Sequence, residues 1–246
     1  MEQGHQPFET VDGRSVPSVS AEQMREVDRV AVEEFGLGVL QMMENAGRCL
    51  AGNALELLDG DEGDVAILAG SGGNGGGGLC CARHLLNHGV RVTVLLSKEP
   101  DALIGPVAHQ LRTLRAAGLA PVKPSGARQA IRTADVTVDA LVGYSLRGAP
   151  RGRVAELISL CNAESRSTLS LDLPSGLDAT TGEVPGRVVD ADRTLTLALP
   201  KIGLYRFAGE VYLADIGIPA EVYGRLELAF EWPAPGRYWV ALSAGD

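Results

Sequence analysis

Residues 65–78 read Val65-Ala66-Ile67-Leu68-Ala69-Gly70-Ser71-Gly72-Gly73-Asn74-Gly75-Gly76-Gly77-Gly78. Five consecutive apolar residues with no polar alternation suit a strand covered on both faces, the environment of a parallel sheet. Seven glycines in the nine positions that follow predict a turn whose backbone N–H groups can approach an anion, ahead of a helix expected over about 78–87. Gly70-x-Gly72-x-x-Gly75 has the form of a dinucleotide fingerprint, and Glu99 falls where the acid of that motif is expected. No Lys-Ser/Thr follows Gly78, so this is not a Walker phosphate loop.

The pattern continues in both directions. Upstream, Ser20 with Gln23 three residues on signals a capped helix with Met24, Val27, Val30 and Ala31 on one face. Gly36 and Gly38 break it, and a second helix is expected over about 39–58. Downstream, strands are expected at 90–96, 120–122, 136–141, 169–173, 194–199 and 210–216, with helices at about 104–117, 126–132 and 151–163. Strands alternating with helices predict an α/β fold with a mostly parallel sheet and helices on both faces. Residues 1–18 are expected as a flexible leader, 19–230 as one domain and 231–246 as a tail.

Composition narrows the function classes. Glycine is the outlier, 31 of 246 residues, or about 13% against a usual ~7%. The net charge is −9 and only Lys98, Lys123 and Lys201 are lysines. An acidic chain with no basic run and 4% aromatics is a poor nucleic-acid or membrane surface. No apolar stretch approaches the ~20 residues of a membrane span, and the polar N-terminus lacks a signal-peptide core. The expectation is a cytoplasmic protein with no nucleic-acid or membrane partner. Cys49, Cys80, Cys81 and Cys161 form no C-x-x-C pair and read as buried reduced thiols. His84 and His88 share a helix face, but neither a carboxylate nor a third ligand is evident there, so zinc is not expected.

Four strand ends carry chemistry. Asn74 lies in the first glycine loop. Asp139 stands near the end of one strand, before a second glycine-bounded loop from Gly143 through Tyr144, Ser145, Leu146, Arg147 and Gly148. Asp172 ends another strand, flanked by leucines and followed by Pro174 and Ser175. Lys201 sits beside a fourth, where a surface lysine and a charge-stabilising lysine are equally weighted readings. In open α/β sheets this edge is where ligands bind. Asn74, Asp139, Asp172 and Ser175 are all oxygen donors, which suit a group-1 or group-2 cation better than zinc.

At these residues the chain resembles the YjeF N-terminal domain family, the NAD(P)H-hydrate epimerases. The likeness rests on Met24-Arg25-Glu26-Val27-Asp28, Met43-Glu44-Asn45-Ala46-Gly47, the glycine loop with Ala82-Arg83-His84-Leu85, Val138-Asp139-Ala140, Leu171 to Asp178, Pro200-Lys201 and Ala214 to Pro219. The resemblance implies a Rossmann-like three-layer sandwich that dimerises. It also implies an isomerase that interconverts the R and S epimers of C6-hydrated NADH and NADPH for a separate ATP- or ADP-dependent dehydratase. By position it implies substrate contacts at Gly73, Asn74, Gly75, Gly76 and Gly77, at Gly143 through Ala149, and at Asp172, with Asp172 and Asp139 as the chemical groups. A potassium ion is implied at Asn74, Asp139 and Ser175. Family members usually read N-N-G-G-D-G in the loop; here Gly73 and Gly77 replace the first Asn and the Asp. That departure leaves a second reading open, a catalytically weak nucleotide-binding or scaffold module of the same fold.

Overall fold

The computed structural model describes residues 8–58 and 63–244. Among them nine strands form one sheet: β1 (Phe8–Thr10), β2 (Ser15–Val16), β3 (Asp64–Ala69), β4 (Arg91–Leu96), β5 (Val136–Ala140), β6 (Thr168–Leu171), β7 (Arg193–Leu197), β8 (Glu210–Ala214) and β9 (Trp239–Ala244). Their order is β2-β1-β9-β8-β7-β6-β5-β3-β4. From β4 to β8 every pairing is parallel. β9, β1 and β2 close that edge with antiparallel pairings. The chain leaves β3 toward β4 on one side and then returns to build β5 through β8 on the other. The switch therefore lies between β3 and β5, and ligands of such sheets bind outside the carboxyl ends at that crevice.

Among the described residues seven α-helices accompany the sheet: α1 (Ala21–Arg29), α2 (Val39–Leu57), α3 (Gly73–Asn87), α4 (Gly105–Ala116), α5 (Ala127–Thr133), α6 (Gly152–Glu164) and α7 (Ala220–Gly224). Successive strand side chains point to opposite faces, and β3 shows the result. Ile67 joins the apolar layer under α2, α3 and α4 with Leu50, Leu79 and Leu114. Its neighbour Leu68 joins the layer under α5 and α6 with Ile131, Leu157 and Ile158. This is the expected three-layer α/β sandwich. α1 starts as read: Gln23 N–H donates to Ser20 Oγ at 3.2 Å and Ser20 N–H to Gln23 Oε1 at 2.8 Å. Among the described residues no helix is long and apolar enough to cross a membrane.

Three expectations are corrected. The segments read as leader and tail carry β1, β2 and β9; Phe8 is buried and stacks on Tyr205 at 4.5 Å between ring centroids. Strands of three and two residues, as β1 and β2 are, are too short for periodicity to betray them. Residues 1–7 and 245–246 lie outside the described residues. Residues 120–122 make a single backbone bond, from Val122 N–H to Val94 O at 2.9 Å, and no strand. Pro121, between them, has no N–H for a ladder.

The third correction concerns the glycines, because α3 begins at Gly73 rather than at 78. Four of them, Gly75 to Gly78, are buried inside the helix. Glycine costs a helix about 1 kcal/mol relative to alanine, so space, not propensity, explains them. A Cβ at Gly75 would stand 1.8 Å from the carbonyl oxygen of Gly70, and one at Gly78 would stand 2.6 Å from Ala140 Cβ. The helix lies closer to the strand ends than a side chain permits. At Gly73 a Cβ would meet nothing within 4 Å. Accordingly, Gly75→Ala is expected to lower the stability by about 3 kcal/mol or more, whereas Gly73→Ala leaves it unchanged or raises it by up to ~1 kcal/mol. Urea unfolding of both variants checks the contrast, and equal effects would contradict the packing argument.

Candidate active site

The carboxyl ends of β3, β5, β6 and β7 open into a cavity of about 610 Å³. Ser71, Gly72, Gly73 and Asn74 line it from the β3–α3 junction, and Leu141 through Ser145 from the end of β5. Leu171, Asp172, Leu197 and Lys201 line its floor. Met24 and Asp28 of α1 and Met42 and Met43 of α2 complete one wall. These methionines are both buried and cavity-facing.

Asp172 occupies the left-handed region at φ 69°. Leu173 N–H donates to Leu171 O at 2.9 Å, so Asp172 is the apex of a three-residue γ-turn of the uncommon hand. A non-glycine residue held this way stores roughly 1–3 kcal/mol of strain. Its Oδ1 is ion-paired with Lys201 Nζ, and both side chains are almost wholly buried, at 3% and 1% exposure. Lys201 Nζ also donates to Leu197 O at 2.8 Å, which decides between the two readings of this lysine. Asp172 Oδ2 accepts from Tyr144 N–H at 3.0 Å. Asn74 Nδ2 donates to Leu171 O at 2.8 Å. A Cβ at Gly143 would lie 2.6 Å from Asn74 Oδ1 and 2.7 Å from Asp172 Oδ2, so this glycine keeps free the point on which amide oxygen and carboxylate converge.

Asp139 stands behind the cavity and is fully buried. It accepts from Ser175 Oγ at 2.6 Å, Ser175 N–H at 2.8 Å, Ser170 Oγ at 2.8 Å and Leu141 N–H at 3.2 Å. Ser175 Oγ in turn accepts from Val142 N–H at 2.8 Å. Burial pushes the Asp139 carboxyl up, and the hydrogen bonds pull it back. This knot fixes the ends of β5 and β6 against each other. Its donor atoms, like that of Asn74, are oxygens and fit a hard cation in kind, but the four hydrogen bonds already use the acceptor positions of Asp139.

The expected site residues thus separate into two groups. Gly73, Asn74, Gly77, Gly143, Tyr144, Ser145 and Asp172 face the cavity. Gly75 and Gly76 are packed under Gly70 and Met43. Leu146, Arg147, Gly148 and Ala149 continue the loop beyond the cavity lining, as Asp139 and Ser175 lie behind it. Glu99 is exposed, and the end of β4 presents Ser97 and Lys98 to the cavity instead. Sequence reading missed Asp28 as a site residue: Tyr144 Oη donates to its Oδ2 at 2.5 Å. Burial pushes the Asp28 carboxyl up, with the Tyr144 hydrogen bond and Lys201 opposing. The available signal was an acid four residues after Met24, on the apolar stripe of α1. Sequence reading also missed the carboxylate beside His84. Glu44 of α2 meets His84 Nε2 at 2.8 Å and accepts from Cys80 Sγ at 3.3 Å, two helices being needed to assemble what one helix face did not reveal. Arg83 is ion-paired with the same Glu44 and places its guanidinium 3.3 Å from Cys80 Sγ, so a protein cation already fills that cluster.

A mostly parallel α/β sheet with a cleft at its switch point defines a nucleotide-type ligand-binding fold. The family model described as YjeF-related protein N-terminus matches residues 39–203, and the chain belongs to this family. The NAD(P)H-hydrate epimerase of Dehalogenimonas lykanthroporepellens is 47% identical over 246 residues, covering 97% of this chain and 98% of the relative. The NAD(P)H-hydrate epimerase of Rhodopirellula baltica is 38% identical, covering 84% and 87%. The bifunctional NAD(P)H-hydrate repair enzyme Nnr of Hyperthermus butylicus is 42% identical over 78% of this chain, which spans only 37% of that longer protein. The crystal structure of the yeast protein ynu0 shares the fold at a TM-score of 0.81, with 21% identity, 92% of this chain and 100% of that one.

Removing one partner of the buried ion pair strands the other charge. Lys201→Met should therefore lower the stability by about 3–5 kcal/mol, and Asp172→Asn added to it should return part of that loss. Denaturant unfolding of the two variants checks this. A double variant less stable than Lys201→Met would contradict the pairing.

Proposed function

We propose that this chain is an NAD(P)H-hydrate epimerase, interconverting the R and S epimers of NADH and NADPH hydrated at C6 of the dihydropyridine ring. The observation that carries the reading is Asp172, held at φ 69° on the floor of the cavity and ion-paired with Lys201. The hydrated carbon bears a hydroxyl and the ring nitrogen and is a hemiaminal. Loss of the hydroxyl as water leaves an iminium-like cation, and water returning to the other face inverts the centre. Such a reaction needs a proton-handling group beside the hydroxyl and negative potential for the cation. Asp172 supplies the negative potential and one proton-handling group.

The rest of the cavity suits the rest of this molecule. Ser71 to Asn74 lead into the N-terminus of α3, which favours an anionic group such as a diphosphate. Lys98, Arg151, Arg153 and Lys201 line the cavity against Asp28 and Asp172, so an acidic chain gathers its cations here. Apolar Met24, Met42 and Met43 offer a surface for a ring. Gly73 and Gly77, where the usual family pattern has Asn and Asp, add no side chain to the cavity. A Cβ at Gly77 would meet only the tip of Leu171 at 2.8 Å.

The same reading includes a potassium ion, held by Asn74, Asp139 and Ser175, that would supply fixed positive charge near the substrate's anionic groups. It also includes a homodimer, a cytoplasmic location and a partner dehydratase that consumes the S epimer. Nnr relatives, whose name is bifunctional and whose length far exceeds this chain, support the last link.

The wild-type protein is expected to speed interconversion of the separated epimers, followed by chromatography. Asp172→Asn should lose roughly 10²–10⁴-fold in kcat while still binding ADP-ribose. Full epimerisation by that variant would remove Asp172 from the acid–base role.

A further inference from the structure

Inversion at C6 sets a requirement that one carboxylate does not meet. The hydroxyl leaves from one face of the ring and water adds to the other. By microscopic reversibility, the group that is acid in the R-to-S direction is base in the S-to-R direction. Two proton-handling groups, one for each face, are therefore called for.

Tyr144 spans two carboxyl groups. Its backbone N–H donates to Asp172 Oδ2 at 3.0 Å, and its hydroxyl donates to Asp28 Oδ2 at 2.5 Å. All three residues line the cavity. We propose that Asp28 and Tyr144 form the second proton-transfer unit of this site, with Tyr144 as the catalytic residue that touches substrate and Asp28 as the residue that positions and recharges it. This rests on the epimerase reading above.

The proton ledger closes. With Asp28 protonated, the Tyr144–Asp28 hydrogen bond runs the other way: Asp28 donates to Tyr144 Oη as Tyr144 donates its own proton to the C6 hydroxyl. The C6–O bond breaks with its electron pair on the departing water, and the N1 lone pair forms the C6=N1 bond. A water molecule then adds to the other face, that π pair returns to N1, and Asp172 takes the proton released. Solvent restores both carboxyls. The surroundings support these roles. Burial pushes the Asp28 carboxyl up, toward the acid form, against the Tyr144 hydrogen bond and nearby Lys201, with Asp172 adding to the rise. Burial and Asp28 drive the Tyr144 phenol up as well, with Arg25 opposing, so it relays a proton without becoming phenolate. The Asp28 charge, after burial and Asp215, also raises the Tyr223 phenol.

The test is epimerisation of purified R- and S-hydrated NADH by the full chain, with kcat and KM measured across pH. Asp28→Asn should lose about 10²-fold in kcat with KM changed less than about threefold. Wild-type activity should fall as pH rises through the Asp28 titration, and that alkaline limb should vanish in Asp28→Asn. Tyr144→Phe should lose a comparable factor, the double variant should be no worse than the poorer single one, and Asp28→Glu should recover part of the rate. Unchanged kcat in Asp28→Asn, a loss confined to KM, a persistent alkaline limb, or losses that multiply in the double variant would each overturn the proposal. Should Asp28→Asn fail to fold, Tyr144→Phe carries the same comparison. Wild-type protein without epimerase activity would defeat the epimerase reading itself, whereas an active wild type, an inactive Asp172→Asn and a fully active Asp28→Asn would defeat this inference alone.

Discussion

The close approach of α3 to the ends of β3 and β5 is the constraint on which the site depends. Between Gly70 and Gly75 and between Gly78 and Ala140 there is no room for a Cβ. The helix axis is thereby fixed near the sheet, and Asn74, one residue into the helix, is brought to within hydrogen-bond reach of Leu171 at the end of β6. Against this frame Met43 of α2 can settle over Gly76 and close the wall of the cavity. A string of good helix formers would give a better isolated helix and a worse fold, because tertiary packing sets the value of each glycine here.

A second constraint is applied at the neighbouring strand ends. Asp172 at φ 69° follows β6, and Ala198 at φ 62° follows β7. Each is straddled by a hydrogen bond between its neighbours, Leu173 to Leu171 at 2.9 Å and Leu199 to Leu197 at 2.7 Å. Two adjacent parallel strands thus end in the same uncommon turn. The chain after β7 is then anchored by Val19, which donates to Pro200 O and accepts from Ile202 N–H, and Lys201 between them is directed inward to Asp172. Strain of this sort persists only where the surroundings over-determine it. Here the ladder bond from Asp172 N–H to Leu195 O at 2.7 Å and the ion pair do so.

Much of this was legible in the residues. The unbroken apolar run at 65–69 announced a buried parallel strand, and acids at strand ends, Asp139 in 136–141 among them, announced the cleft. What stayed hidden was whatever needed two distant segments. The glycines after Ala69 look like a loop locally; only the proximity of Ala140 and Leu141 shows that they are a helix shaved for packing. Asp28 looks like one more polar residue of an amphipathic helix until Tyr144, 116 positions away, meets it. Asp139 looks like a cavity group, because nothing local tells that Ser170 and Ser175 will occupy it from behind. Phe8 and its short strands give no periodic signal at all.

The charge arrangement explains why a carboxylate suits this reaction better when it is paired. A lone buried carboxylate would carry a large desolvation penalty and would attract any cation strongly. Paired with Lys201 on Oδ1 and holding Tyr144 N–H on Oδ2, Asp172 keeps only part of its field for the cavity. In the proposed epimerisation that remainder would act on a transient cation inside a mostly apolar enclosure, where a fixed dipole needs no reorganisation as charge develops. It would also leave the neutral ring of the substrate and the cationic ring of the intermediate unequally held, and such a difference lowers a barrier. The buried ion pair is therefore a weak stabiliser of the fold and a strong determinant of what the cavity prefers to hold.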